Sequence, residues 1–290
     1  MQEQLKSDNI QFGIVGLGLI GGSIAKSLKV NNFDVYADDA NASNISIALE
    51  DKVILGNLDK LDPSKAFVLI FCVPVSAHEN VFSSYENLIN KAKLVTDCSS
   101  VKDSVLQDLK NKNFPKKNYV FSHPMAGSEK SGYLNANEKL FLNKSCLLMT
   151  TTETDSASLE ICKGLWEILG SEISYLNLED HDLLLAMTSH LPHFIAFALV
   201  SALSESNIDA NKIFSGGGLK DFTRIASSDV KMWKDIFTYN NENISSVLDK
   251  FIDKVLVFKK FIEDLLDSKI KDLNRLSGGA SAETYKICLS

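Results

Sequence analysis

Ile14-Val15-Gly16-Leu17-Gly18-Leu19-Ile20-Gly21-Gly22-Ser23 follows an apolar run from Phe12 and opens a helical pattern through Ser27 and Leu28. The stretch reads as strand, glycine turn, helix. Gly16 permits the tight turn, Gly18 lets a pyrophosphate approach the backbone, and Gly21 lets the helix pack closely on the strand. Leu19 and Ile20 sit between them, where the first N–H groups and the positive end of the helix dipole face a phosphate.

A glycine motif alone is weak, because such turns also arise for structural reasons; its surroundings strengthen it. A second apolar strand, Phe33 to Ala37, ends in Asp38 and Asp39, about 20 residues beyond the turn, where a carboxylate binds the ribose hydroxyls of a dinucleotide. A carboxylate there repels a 2′-phosphate, and Asp38 to Asp51 holds no Lys or Arg to neutralise one. NAD is therefore favoured over NADP, with Asp39 as the ribose ligand and Asp38 as the fallback.

Downstream, Ala66 to Pro74 is a continuous apolar run, as expected of a strand buried on both faces, and its end places Val73 and Pro74 against the cofactor. A helix over Ser76 to Asn90 leads to a strand from Lys93 to Asp97. Ser99 and Ser100 then read either as an N-cap for the helix through Leu109 or as hydroxyls facing the pocket. Tyr119 to Ser122 is the next strand and runs directly into His123-Pro124-Met125-Ala126-Gly127-Ser128, which puts one of only five histidines at a sheet edge where ligands bind. Strands at Lys144–Thr150 and Glu172–Leu176 flank a helix from Ser156 to Leu169.

Beyond Asn177 the pattern is helical, with no convincing strand. His181 to Leu203 is apolar on nearly every face and so should be buried, and Ile244 to Leu266 repeats at three- and four-residue steps. The fold class is thus α/β: a Rossmann-type dinucleotide-binding domain (1–177), then an all-helical domain (178–275) that buries apolar faces in a homodimer, then a flexible tail (276–290) of linker composition. Between the helices, Gly216-Gly217-Gly218-Leu219-Lys220-Asp221-Phe222-Thr223-Arg224 offers an arginine fork suited to a carboxylate.

Composition sets limits. The chain has 290 residues, 45% hydrophobic and 23% charged, and its net charge of −7 without a basic stripe argues against a nucleic-acid partner. Five scattered cysteines with no C-x-x-C pair indicate neither a disulfide framework nor a metal site, and suit a reducing, cytoplasmic setting. The N-terminus lacks an apolar signal core, and no run approaches the ~18 apolar residues of a membrane span, so no membrane association is expected.

Together the glycine turn, Asp97-Cys98-Ser99-Ser100-Val101-Lys102, Ser122-His123-Pro124-Met125-Ala126-Gly127-Ser128, Ser189-His190-Leu191-Pro192-His193 and Lys220-Asp221-Phe222-Thr223-Arg224-Ile225-Ala226 resemble the prephenate and arogenate dehydrogenases of tyrosine biosynthesis. The resemblance spans Phe12 to Leu266. It implies NAD-dependent oxidation of a cyclohexadiene alcohol with loss of the ring carboxylate as carbon dioxide. His123 matches the catalytic histidine that takes the C4 hydroxyl proton, and Ser100 the serine that contacts the same hydroxyl. Arg224 matches the arginine that binds a substrate carboxylate. Ser128, His193 and Trp233 match positions lining the substrate pocket, the tryptophan offered by the partner subunit, and His190 is an alternative pocket histidine. His193 leans the preference toward prephenate over arogenate.

Two rivals remain at this level. A β-hydroxyacid dehydrogenase also joins a nucleotide domain to a helical one, but usually relies on a lysine in the helical domain. A non-catalytic NAD sensor would bind cofactor without turnover, and would be indifferent to His123.

Overall fold

The computed structural model describes residues 10–127, 130–205, 216–264, 270–277 and 283–289. Residues to Ile244 form one compact unit and Ser245–Ser290 a second.

The first unit is built on a seven-stranded sheet in the order β2-β1-β3-β4-β5-β6-β7. Its strands are β1 (Gln11–Val15), β2 (Asp34–Asp38), β3 (Phe67–Phe71), β4 (Leu94–Asp97), β5 (Tyr119–Pro124), β6 (Ser145–Met149) and β7 (Glu172–Tyr175). All neighbours pair in parallel except β5 with β6. Helices α1 (Leu19–Val30), α2 (Ala42–Glu50), α3 (His78–Ser84), α4 (Glu86–Lys91), α5 (Lys102–Asn111) and α6 (Ser156–Ile168) connect them.

β3 shows why its run is unbroken. Val68 and Ile70 join one core with Ile24 and Leu28 of α1 and Leu165 of α6. Leu69 and Phe71 join the opposite core with Phe82, Ile89 and Val105. Alternate side chains point to opposite faces, so a strand covered by helices on both sides must be apolar at every position. The helix read over Ser76–Asn90 is two helices parted at Tyr85, whose hydroxyl donates to Asp38 Oδ2 at 2.9 Å.

After β7 the described residues to Asp264 are mainly helical: α7 (Leu178–Leu185), a π-turn (Ala186–His190), α8 (Leu191–Ser204), α9 (Gly217–Ala226), α10 (Val230–Tyr239) and α11 (Asn241–Asp264). The wide turn falls just before Pro192, which has no N–H to continue the helical ladder. By contacts, helices α7 to α10 fall in the same compact unit as the sheet.

Two expectations are corrected here. The 27-residue run Leu178–Ser204 is long and apolar enough to cross a membrane by length and composition, which the sequence reading missed. In the single chain much of that run is open: Leu183, Leu184 and Met187 are exposed, and in α8 only Ala196 is buried. Finally, strands do follow Asn177: β8 (Ile270–Ser277) and β9 (Glu283–Leu289) pair antiparallel in the second unit. The polar residues in both runs hide their strand character, and the Gly278-Gly279 pair that suggested a linker falls between them, outside the described residues.

Candidate functional site

The glycine turn has the geometry its residues require. Gly16 has φ +95°, and a Cβ there would lie 2.4 Å from the Cys72 carbonyl oxygen. At Gly21 a Cβ would lie 1.9 Å from the Gly16 carbonyl oxygen, so close packing of α1 excludes any side chain. Gly18 differs. It is the N-cap of α1, and nothing lies within 4 Å of where its Cβ would be. The first turn of α1 carries no acidic residue and no side-chain cap, which leaves the positive helix end open. A cavity of ≈ 380 Å³ lies against this turn, lined by Gly18, Leu19, Ile20, Val73, Pro74 and Ser100. Open space at Gly18 and an uncapped helix start fit a dinucleotide pyrophosphate. The free thiols of Cys72 and Cys98 also border the cavity, with their sulfurs 3.7 Å apart.

The two aspartates after β2 separate clearly. Asp39 Oδ2 accepts from the Leu17 backbone N–H, while Oδ1 accepts from Asn41 N and Asn44 Nδ2. Asp38 instead accepts from Asn57 Nδ2, Leu58 N and the Tyr85 hydroxyl. Of the two side chains only that of Asp39 bonds the glycine turn, whereas Asp38 meets it through its backbone carbonyl, which accepts from Gly16 N–H.

Ser99 and Ser100 also part company. Ser99 is buried and its hydroxyl is taken up locally, donating to the Val101 carbonyl oxygen at 2.9 Å, while Ser100 is less buried; both serines border the cavity. Neither serine caps α5. Val101 is the N-cap, and the helix start is satisfied from another element: Asp182 of α7 accepts from Lys102 N at 2.8 Å and Asp103 N at 2.9 Å. A carboxylate on two N–H groups at a helix start gains both the hydrogen bonds and the dipole.

His123 stands at the carboxyl end of β5, nearly buried, with Nδ1 2.9 Å from His181 Nε2. His181 Nδ1 in turn lies 2.6 Å from Asp182 Oδ1. Burial holds the His123 pKa well below 6.5, reinforced by the charges of His181, Lys102 and His190. Burial also lowers His181, against the opposing pull of Asp182. Asp182 itself stays below the usual carboxylate value: burial pushes it up, but the hydrogen bonds from His181, Asp103 N and Lys102 N outweigh it. Beneath His123, Lys102 Nζ contacts Asp97 Oδ2 and the Ser122 carbonyl oxygen, with both charged side chains fully buried.

The polar chain continues into the helices. Asn240 Nδ2 donates to the Asp182 carbonyl oxygen at 2.8 Å and lies 3.1 Å from His190 Nδ1. Burial lowers His190 to about 4. His190 meets the Trp233 ring edge-on, and His193 stacks on it at 3.8 Å between centroids. His193 Nδ1 donates to the Ser189 carbonyl oxygen, and its pKa is lowered by burial and by Arg224. Trp233 thus meets both histidines within a single chain. Arg224 is exposed on α9, 3.8 Å from Asp221. Ser128 lies outside the described residues.

Sequence reasoning missed His181, Asp182, Lys102 and Asn240. For the first two a signal existed: an adjacent imidazole and carboxylate opening an otherwise apolar helix must be partnered when buried. Among the described residues no group of three His, Cys, Asp or Glu side chains could hold a metal ion.

Comparison with known proteins adds an independent line. The family described as prephenate dehydrogenase, nucleotide-binding domain, matches residues 24–175, and that described as prephenate dehydrogenase, dimerization domain, matches 177–276. A cyclohexadienyl dehydrogenase of Zymomonas mobilis is 32% identical over 82% of this chain and 84% of its own. A prephenate dehydrogenase of Bacillus subtilis is 33% identical over 86% and 69%. Among solved structures, prephenate dehydrogenase from A. aeolicus in complex with hydroxyphenyl propionate and NAD+ superposes with a TM-score of 0.78 at 34% identity, covering 89% of this chain and 92% of that one. Synechocystis arogenate dehydrogenase gives 0.71 at 25% identity, covering 89% and 93%.

Proposed function

The chain belongs to the prephenate dehydrogenase family, and from that membership we propose that it catalyses the NAD-dependent oxidative decarboxylation of prephenate, with arogenate as the second candidate substrate, in tyrosine biosynthesis. The observation that carries this reading is the nearly buried imidazole of His123 at the carboxyl end of β5, beside strands whose ends line the cavity at the glycine turn. NAD, when bound, supplies a nicotinamide ring that accepts hydride from C4 of the substrate.

The chain's own residues do the rest. The glycine turn and the start of α1 hold the pyrophosphate, Asp39 holds the ribose, and Val73 and Pro74 pack beside the cofactor. Ser100 hydrogen-bonds the C4 hydroxyl and orients it. His123 takes that hydroxyl's proton, which its lowered pKa suits because the base must be neutral. Hydride leaves C4, the bond from the ring to its carboxylate breaks, its electron pair enters the ring, and carbon dioxide departs as the ring becomes a phenolate, which takes the proton back from His123 to give the phenol. Arg224 holds a substrate carboxylate, with His193, His190, Trp233 and Ser128 shaping the pocket. Positioning and electrostatics are the protein's contribution.

A homodimer follows from the same reading. The exposed apolar surface of α7 and α8 and a cavity lined by Phe194, Phe197, Val230 and Phe237 call for a second copy, and the dimerization-domain match supports it. Lipid is the poorer partner for α7, which carries His181 and Asp182 into the sheet-bearing unit. A cytoplasmic location is supported by the free thiols among the described cysteines.

The test is the rate of NADH formation by purified protein with NAD and either prephenate or arogenate, and with NADP in parallel. Turnover with NAD is expected. Folded protein that oxidises neither substrate with either cofactor would overturn the reading, and oxidation of simple β-hydroxyacids instead would move the chain to the rival class.

A further inference from the structure

We propose that His181 and Asp182 are positioning residues that fix His123 in one tautomer, with the proton on Nδ1 and the lone pair on Nε2. This rests on the reading of His123 as the base and goes beyond it. It identifies two residues outside the motifs that decide which ring nitrogen does the chemistry.

Asp182 takes the N–H groups of Lys102 and Asp103 on its two oxygens, and a carboxylate so placed is an ionised, acceptor-only group. Its Oδ1 also lies 2.6 Å from His181 Nδ1, so the hydrogen of that contact is on the imidazole. His181 is neutral, its pKa lowered by burial, and a neutral imidazole protonated at Nδ1 offers a lone pair at Nε2. That Nε2 lies 2.9 Å from His123 Nδ1, and the contact is a hydrogen bond only if His123 Nδ1 donates. His123 therefore keeps its own lone pair at Nε2. The other titratable groups around the pair are Lys102 and Asp97, matched to each other, Asp103 at the start of α5, and His190, held neutral by burial.

Proton uptake fits the same wiring. When His123 gains a proton at Nε2, the positive charge is shared along the hydrogen bond to His181, whose far side rests on the Asp182 carboxylate. The relay orients the base before the reaction and balances its charge afterwards, the task a buried carboxylate performs for a catalytic imidazole elsewhere. Because Asp182 is clamped to the start of α5, the orientation comes from the backbone of the nucleotide-binding domain.

The experiment is ¹⁵N NMR of the histidine-labelled full chain at neutral pH, with His123 signals assigned by their loss in His123→Asn. Expected are a pyrrole-type Nδ1 and a pyridine-type Nε2 for both His123 and His181; His123 protonated at Nε2 overturns the proposal. In turnover, His181→Phe keeps ring volume but removes the acceptor, and kcat falls about 100-fold with NAD affinity unchanged, while His181→Gln restores an acceptor and recovers to within about tenfold. A Phe variant within about threefold of the parent, or a Gln variant no better than Phe, assigns His181 a packing role and overturns the relay. If the Phe variant does not fold, the tautomer spectrum and the Gln variant still decide. The spectrum needs no substrate. Absent turnover therefore sinks the proposed activity alone, and an inverted tautomer in an active enzyme sinks the relay alone.

Discussion

The carboxylate of Asp39 accepts a hydrogen bond from the backbone N–H of Leu17, which fastens the end of β2 to the glycine turn after β1. Asp38, one residue earlier, serves Asn57, Leu58 and Tyr85 instead. Asp39→Ser should therefore lower kcat/KM for NAD by about tenfold or more, the value of one hydrogen bond to a charged group. It should also raise the ratio of NADP to NAD use, since the repulsion of a 2′-phosphate goes with the carboxylate. Asp38→Asn should leave that ratio alone. Steady-state rates with both cofactors check this, and a ratio that moves with Asp38 rather than Asp39 would reverse the assignment.

His123→Asn should lower kcat by about 10²- to 10⁴-fold while NAD still binds, as fluorescence titration would show. The pH profile gives a second handle. His123 faces His181, Lys102 and His190, and burial with those charges lowers its pKa. A base with a lowered pKa stays neutral at pH values where free imidazole is already charged. The acidic limb of kcat/KM for the free enzyme should accordingly fall below about 6.5. A limb at or above that value would place the titrating base elsewhere.

Lys102 and Asp97 form a fully buried ion pair, supported by the Tyr119 hydroxyl and the Ser99 N–H on the carboxylate. Lys102→Met leaves a buried carboxylate without its counter-charge and should cost about 3–5 kcal/mol in denaturant unfolding. Replacing both partners with apolar residues should recover most of that loss. A single-variant cost below about 1 kcal/mol would mean that water reaches Asp97.

The placing of several candidate residues was legible because strand ends carry them. The glycine turn, Val73 and Pro74, and Ser100 follow apolar runs and border the cavity, and Asp39 and His123 likewise follow apolar runs at the ends of β2 and β5. Asp182 was not legible in that way. It caps α5 across a gap of 80 residues in the chain, and no local pattern announces a cap supplied by another helix. Ser99 and Ser100 looked equally able to cap, and only the fold shows that neither does, both bordering the cavity with the Ser99 hydroxyl spent on the Val101 carbonyl oxygen. The run 178–204 was misjudged differently: it was read as too short in apolar residues to span a membrane, yet it is long and apolar enough by length and composition, and several of its apolar residues stay open in the single chain.

His78 and His190 are both buried, and burial lowers each to about 4. The unfolded chain, with imidazoles near 6.5, then binds more protons than the folded one between pH 6.5 and about 4. Stability is full above the upper value and lost as pH falls through that window. For fully buried His78 the loss is on the order of 3 kcal/mol. Urea unfolding at pH 7.5 and at pH 5 should show the lower midpoint at pH 5, and His78→Leu should flatten the difference. An unchanged slope in that variant would remove His78 as a source.

Gly18 and Gly21 separate a glycine kept for a ligand from one kept for packing. A methyl group at Gly21 would sit 1.9 Å from the Gly16 carbonyl oxygen and 3.0 Å from Cys72 Cβ, and the nearer obstacle is backbone, which no rotamer change removes. Gly21→Ala should therefore lower the unfolding midpoint and weaken NAD binding together. At Gly18 the same methyl meets nothing within 4 Å, and the residue's φ of −74° suits alanine. Gly18→Ala should consequently unfold like the parent but bind NAD at least about tenfold more weakly, because the methyl occupies the approach of the pyrophosphate. Calorimetric titration with NAD beside thermal unfolding reads both quantities. Undiminished NAD affinity in a stable Gly18→Ala protein would mean that the pyrophosphate does not cross this turn.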